Sequence, residues 1–358
     1  MMVLRIWLFT GCGAKESDTA QAVDTEVQVE QKGVLSVATD ARSFENRYGQ
    51  QSTLQYWYPT SEERDSLHVY DDIVESQAQD GGAPDCTQTR PVVVFSHGNG
   101  GMRYQSFFLM EYLASHGFVV VAPDHVGNTA FDMDGATRAE LIFRRPEDII
   151  DSFDTLLENT RFEGCIDADA GYAVMGHSFG GYTTLALSGA QIDTEAVAQL
   201  CSIYPDAWLC EGVQTFAEEN GAGIYDRRDP RIWAGVALTP AGYEALSTTL
   251  KDIEIPMLVF GGGLDDLTPM EWMVKPIYDN IAAPKNMAEF PFAGHYSFTN
   301  ACDILPTYPD CGAGYLSPPA VHEVTNTLTT AFLFKELGGY RGWETAFPID
   351  STDFIWHD

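Results

Sequence analysis

Gly176-His177-Ser178-Phe179-Gly180 sets a serine between two glycines, the spacing of a sharp strand-to-helix turn that presents a hydroxyl to an electrophilic carbon. Glycine is needed on either side because the serine backbone is strained in such a turn and flanking side chains would collide with it. The pentapeptide alone is too common to carry an assignment, so its flanks decide. Tyr172 to Met175 reads as a short buried strand, and Thr183 to Leu187 as a helix rich in small residues. That is the strand-turn-helix setting such a nucleophile requires.

A serine hydroxyl is a weak nucleophile until a base takes its proton, and the base needs an orienting acid. Both are expected further along the chain, at the ends of later strands. The apolar run at Met257 to Phe260 leads into Gly261-Gly262-Gly263-Leu264-Asp265-Asp266-Leu267-Thr268-Pro269, an acid on a turn at a strand's C-terminal end. Asp265, four residues before Pro269, is the expected acid, and Asp266 keeps a similar claim. Of eight histidines, His295 lies 30 residues beyond Asp265, in a loop after an apolar strand, and is the expected base. His97 and His177 belong to glycine-containing loops, His125 precedes the acid, His322 lies in the last helix and His357 near the end.

Negative charge developing on a carbonyl oxygen needs aimed N–H donors. Ser96-His97-Gly98-Asn99-Gly100-Gly101 follows the strand at Pro91 to Ser96. Its Asn99 N–H, with Gly98 as the alternative, is expected to act beside the N–H of Phe179. No G-K-[ST] follows, so a phosphate cradle is not indicated. No C-x-x-C spacing suggests a metal site either, and neither cofactor nor metal is expected.

Other runs supply the frame for these loops. Leu54 to Tyr58, Phe118 to Ala122 and Ile232 to Leu238 read as further strands, several of them continuous apolar runs suited to burial on both faces. Arg103 to His116 reads as a helix stopped by Gly117. Pro146 is expected to open another helix, with Ile149, Ile150, Phe153, Leu156 and Leu157 on one face. A last helix carries Val321, Val324, Leu328 and Phe332 and stops at Gly338-Gly339. Alternating strands and helices predict an α/β chain with a mostly parallel central sheet flanked by helices. Residues 191–230, after the helix that follows Ser178, exceed what that frame needs and are a candidate lid or cap.

The chain has 358 residues, with 52 acidic against 20 basic side chains and a net charge of −32. A field of that sign repels phosphate backbones, so nucleic acid is not an expected partner. No run of 18 apolar residues appears, which leaves no spanning helix in the sequence. The start, MMVLRIWLFTGC, resembles a lipoprotein signal over 1–12 with Cys12 as the lipidated residue, and 13–30 reads as a disordered tether. Such an anchor would attach the protein to a membrane after export to the cell envelope. Residues 31–345 then form one catalytic domain, expected as a monomer, and 346–358 a tail.

Six cysteines remain, an even number suited to an oxidising compartment. Cys201 with Cys210 and Cys302 with Cys311 lie close in sequence. Cys86 and Cys165 each precede a predicted strand, and meet if those strands are parallel neighbours.

Taken together, Trp57-Tyr58-Pro59, the VVVFSHGNGG segment ending at Gly101, LASHGFVVVAPDH from Leu113 to His125, RPEDI from Arg145 to Ile149, MGHSFGG and GHYSFT from Gly294 to Thr299 resemble the type II platelet-activating-factor acetylhydrolases and bacterial predicted dienelactone hydrolases. The resemblance covers Leu54 to Thr299. It implies the α/β-hydrolase fold, a triad of Ser178, Asp265 and His295, an oxyanion hole from Asn99 and Phe179, and hydrolysis of a carboxylic ester of small-molecule or lipid type. True dienelactone hydrolases use cysteine where Ser178 stands. Cutinase-like polyester hydrolases are also similar around LASHGFVV and GHSFGG, but usually lack the HGxGG loop. A catalytically inactive binding module is the alternative of another class, and the presence of all three triad residue types speaks against it.

Overall fold

The computed structural model describes residues 25–133, 138–205, 209–346 and 351–358. Cys12, its apolar leader and the first part of the expected tether lie outside the described residues. An eleven-stranded sheet runs through the molecule. Its strands in chain order are β1 Val37–Glu45, β2 Gln51–Pro59, β3 Leu67–Tyr70, β4 Val74–Asp80, β5 Val92–Ser96 and β6 Val119–Pro123. They continue with β7 Tyr172–His177, β8 Ile232–Leu238, β9 Met257–Gly262, β10 Lys285–Phe290 and β11 Ile355–His357. Across the sheet the order is β11-β10-β9-β8-β7-β5-β6-β2-β1-β4-β3. The six strands from β10 to β6 are parallel, while β11 and β2 pair antiparallel at either flank.

Burial on both faces explains why the central strands are unbroken apolar runs. Val93 and Phe95 of β5 join the core on one side of the sheet, and the alternating Val92 and Val94 join the core on the other. Helices α1 (Phe107–Ser115) and α6 (Pro318–Leu337) cover the first side; α2 (Arg138–Glu158) and α3 (Phe179–Ser188) cover the second. Three disulfides pair Cys86 with Cys165, Cys201 with Cys210, and Cys302 with Cys311.

Four local expectations are revised. Pro146 does not open its helix but lies inside α2. Proline has no N–H for the carbonyl four residues back, and the Tyr182 hydroxyl donates to that carbonyl, Ile142 O, at 2.9 Å instead. Arg103 precedes α1 and binds Asp71 and Asp124 at 2.6 and 2.8 Å. The end of the expected tether is packed: Thr25–Glu26 pairs with Tyr340–Arg341, and Val29 is fully buried. The tail likewise contributes β11 to the sheet.

Residues 191–230 form α4 (Thr194–Ile203) and α5 (Cys210–Asn220), joined by the Cys201–Cys210 bridge. A pairing of Ile192–Asp193 with Ile224–Tyr225 closes their base. Val197 and Val213 share a core cluster with α2 and α3 residues, and Phe216 stacks on Phe143 of α2.

Candidate active site

Sheet register brings five loops to one edge. Ser96 pairs with Gly176, His177 with Leu238, Leu238 with Phe260, and Gly262 with Phe290. The loops bearing Asn99, Ser178, Thr239, Asp265 and His295 therefore all leave the C-terminal ends of parallel strands, where open α/β sheets bind ligands.

Ser178 sits at the turn between β7 and α3 with φ 57° and ψ −115°, a conformation that costs a non-glycine residue about 1–3 kcal/mol. Its backbone is over-determined: Ser178 N–H donates to Leu238 O at 2.9 Å, and Ser178 O accepts from Tyr182 and Ala241 N–H at 3.1 and 3.0 Å. A Cβ on Gly180 would lie 1.8 Å from Ser96 O, and one on Gly176 2.2 Å from Gly180 O. Both elbow glycines are thus set by backbone approach, as the motif implies.

His295, 4% exposed, directs Nδ1 to Oδ2 of Asp265, itself 5% exposed, at 2.8 Å. Asp265 Oδ1 accepts from the Leu267 and Thr268 N–H groups, each at 2.8 Å. Its Oδ2 also receives the hydroxyls of Thr239 and Thr268. Burial raises the carboxyl's pKa, but His295, Thr239 and Thr268 outweigh it and hold Asp265 well below the usual carboxylate range. Asp266 is exposed and is not the partner of His295. With Nδ1 committed to Asp265, Nε2 is the ring nitrogen left for exchange of a proton with substrate or nucleophile.

Ser178, Phe179, Asn99 and His295 line one cavity of about 410 Å³, a size that takes a small organic ligand. Met102, Ala241, Leu267, Ile304 and Leu305 make much of its wall apolar. Among the described residues of 191–230 none lines it. The wall is supplied instead by 299–308, within and beside the Cys302–Cys311 loop. Gly98 N–H is taken up by Gln105 Oε1 at 3.0 Å.

Sequence reasoning passed over several residues around this site. Thr239 has φ 41° and touches Asp265 from β8, a strand end whose signal in the sequence is only the Thr-Pro after an apolar run. Beneath the Asn99 loop lies a second Ser-His-Asp array, in which Ser96 Oγ stands 2.9 Å from His125 Nε2, and His125 Nδ1 2.9 Å from Asp148 Oδ2. All three are buried and none lines the cavity. Arg145, fully buried, donates to Ser96 Oγ at 3.2 Å and to His97 O. This array therefore braces the loop from below. Arg145 and Asp148 belong to the RPEDI segment, whose charged residues inside an apolar context were the available signal.

The sheet, its parallel centre and the elbow at its C-terminal edge define the α/β-hydrolase fold. Comparison with known proteins is consistent with that fold: residues 82–217 match the chlorophyllase family. The chain is 26% identical to the cutinases est2 and est1 of Thermobifida alba over 211 residues, 58% of this chain and 54% of each cutinase. The chain thus spans about half the length of these curated relatives. The ferulic acid esterase of Streptomyces cinnamoneus superposes with a TM-score of 0.58 at 19% identity, covering 87% of this chain and 92% of the esterase, a likeness of fold.

Proposed function

We propose that the protein is a serine carboxylic-ester hydrolase. Ser178 Oγ attacks the ester carbonyl while His295 Nε2 takes its proton, and Asp265 holds the imidazole through Nδ1 and stabilises the imidazolium. The N–H groups of Asn99 and Phe179 receive the developing oxyanion. The alcohol leaves with the proton from His295. Water, deprotonated by the same nitrogen, then cleaves the acyl-serine and restores the enzyme. The observation that carries this reading is the 2.8 Å bond between His295 and a fully satisfied Asp265, beside a strained serine on the same cavity. Gly98 N–H being occupied supports Asn99 as the loop's donor.

The preferred substrate is a neutral or zwitterionic ester with a short acyl group, as the resemblance to the acetylhydrolases implies; the −32 charge disfavours anionic esters. A cutinase-like polyester hydrolase is the second reading, favoured by the apolar cavity wall and the similarity to the two cutinases. Export, with Cys12 as a lipid-anchor site, fits three disulfides. Measuring kcat/KM on p-nitrophenyl acetate, butyrate, octanoate and palmitate tests the substrate: the optimum is expected at acetate or butyrate. An optimum at octanoate or beyond contradicts it.

A further inference from the structure

Gln105 lies in the turn before α1, on the cavity wall, and both ends of its amide are used. Oε1 accepts the Gly98 N–H at 3.0 Å, and Nε2 lies 2.7 Å from His177 Nδ1. His177 Nε2 in turn lies 2.9 Å from the carbonyl oxygen of His295. The polarity of this chain is forced. An amide NH₂ only donates, so Nδ1 is the acceptor; a carbonyl only accepts, so Nε2 carries the proton. Burial, then the neighbouring His295, brings the His177 pKa down to about 3, which keeps that single tautomer neutral.

The glycine loop is shaped around this amide. A Cβ on Gly101 would come within 2.0 Å of Gln105 Oε1, and one on Gly98 within 3.3 Å. The backbone of Gln105 is anchored independently of its side chain: its carbonyl accepts the Asn300 N–H at 2.8 Å, and the neighbouring Ser106 hydroxyl donates to Phe298 O at 3.0 Å. Changing the side chain therefore leaves the turn's own attachments in place.

Resting on the serine-hydrolase reading above, we propose that Gln105 is a positioning residue that ties the oxyanion loop to the loop of the base. It takes the Gly98 N–H out of use, which leaves Asn99 as the donor, and through His177 it fixes the main chain at His295. Substrate never needs to touch it. Oxyanion geometry and base placement are then set by one amide.

Two variants test this. Gln105→Leu removes both contacts and lowers kcat on p-nitrophenyl acetate about 10- to 100-fold, part of what losing a whole oxyanion donor costs. KM stays within about 3-fold and affinity for phenylboronic acid, a mimic of the tetrahedral adduct, falls with kcat. A kcat within about 2-fold of the parent, or a loss confined to KM, overturns the proposal. Gln105→Glu keeps an acceptor for Gly98 N–H but sets a carboxylate against His177 Nδ1. Nitrogen-15 spectra recorded without substrate at pH 7 are expected to show His177 protonated on Nε2 alone in the parent and on both nitrogens in Gln105→Glu. An unchanged His177 signal overturns the linkage. Parent protein that fails to react with a fluorophosphonate overturns the hydrolase reading itself, a separate result because the spectra need no catalysis.

Discussion

A carboxylate that accepts from two backbone amides, two threonine hydroxyls and an imidazole has little left with which to hold a proton, and Asp265 is such a group. It stays ionised well below the usual carboxylate range, so the imidazole keeps its Nδ1–H orientation. Replacing Asp265 with asparagine offers an amide that can donate to Nδ1 and favour the wrong tautomer. Asp265→Asn is expected to lower kcat about 10³- to 10⁴-fold. The exposed Asp266→Asn should stay within about 2-fold, and steady-state kinetics on one ester compare them directly. An equal loss in both would contradict the assignment. Ser178 and the claim of Asp265 are legible in sequence because glycine sterics and turn spacing are local. Thr239, Gln105 and the array at Ser96, His125 and Asp148 are not, because strand register brings together groups that lie far apart along the chain.

The two short disulfide loops look alike in sequence and differ in place. Cys302–Cys311 encloses Ile304, Leu305 and Tyr308 of the cavity wall, and its Asp310 carboxylate accepts the Tyr296 N–H, beside the base, at 2.6 Å. Cys201–Cys210 braces α4 and α5, and none of their residues lines the cavity. Each closes a separation of 9 residues, worth about 2.6 kcal/mol in the chain-entropy picture. Cys302→Ser/Cys311→Ser should therefore lower both Tm and kcat/KM, whereas Cys201→Ser/Cys210→Ser should lower Tm with activity largely kept. Paired thermal melts and ester kinetics read this; loss of activity in the second variant alone would restore the lid role expected for 191–230. That expectation arose from position in sequence, just after the helix behind Ser178. Its packing against α2 depends on contacts such as Phe216 on Phe143, which periodicity does not reveal.

Across the whole molecule, buried histidines couple the fold to acid. Burial chiefly holds His177 to about 3 and His322 to about 4, and pushes His97 and His125 well down. An unfolded histidine titrates near 6.5. Below that pH the unfolded chain binds more protons than the folded one, so these groups make stability rise with pH between about 4 and 6.5. Asp148 opposes them: burial raises it to about 7, so its contribution is lost as pH rises through that value. Glu111, Asp124, Glu147, Glu244 and Asp310, also raised by burial, act with Asp148 but with smaller shifts. The four strongly depressed histidines outweigh them, and Tm is expected to fall from pH 7 to pH 4. A flat or rising Tm over that range would show that these histidines are not held neutral.

Reaction of the intact protein with a fluorophosphonate, followed by peptide mass mapping, bears most directly on the claim that Ser178 is the nucleophile. Among the described residues, Ser178 shares the cavity with His295, which is bonded to Asp265, while the array of Ser96, His125 and Asp148 is sealed beneath the Asn99 loop. Of the two groups, the first alone has a strained serine on a cavity with room for an ester. One phosphonyl group is expected per chain, on the peptide containing Ser178, with labelling and ester hydrolysis both abolished in Ser178→Ala. Label on Ser96, no label at all, or ester hydrolysis retained by Ser178→Ala would contradict it.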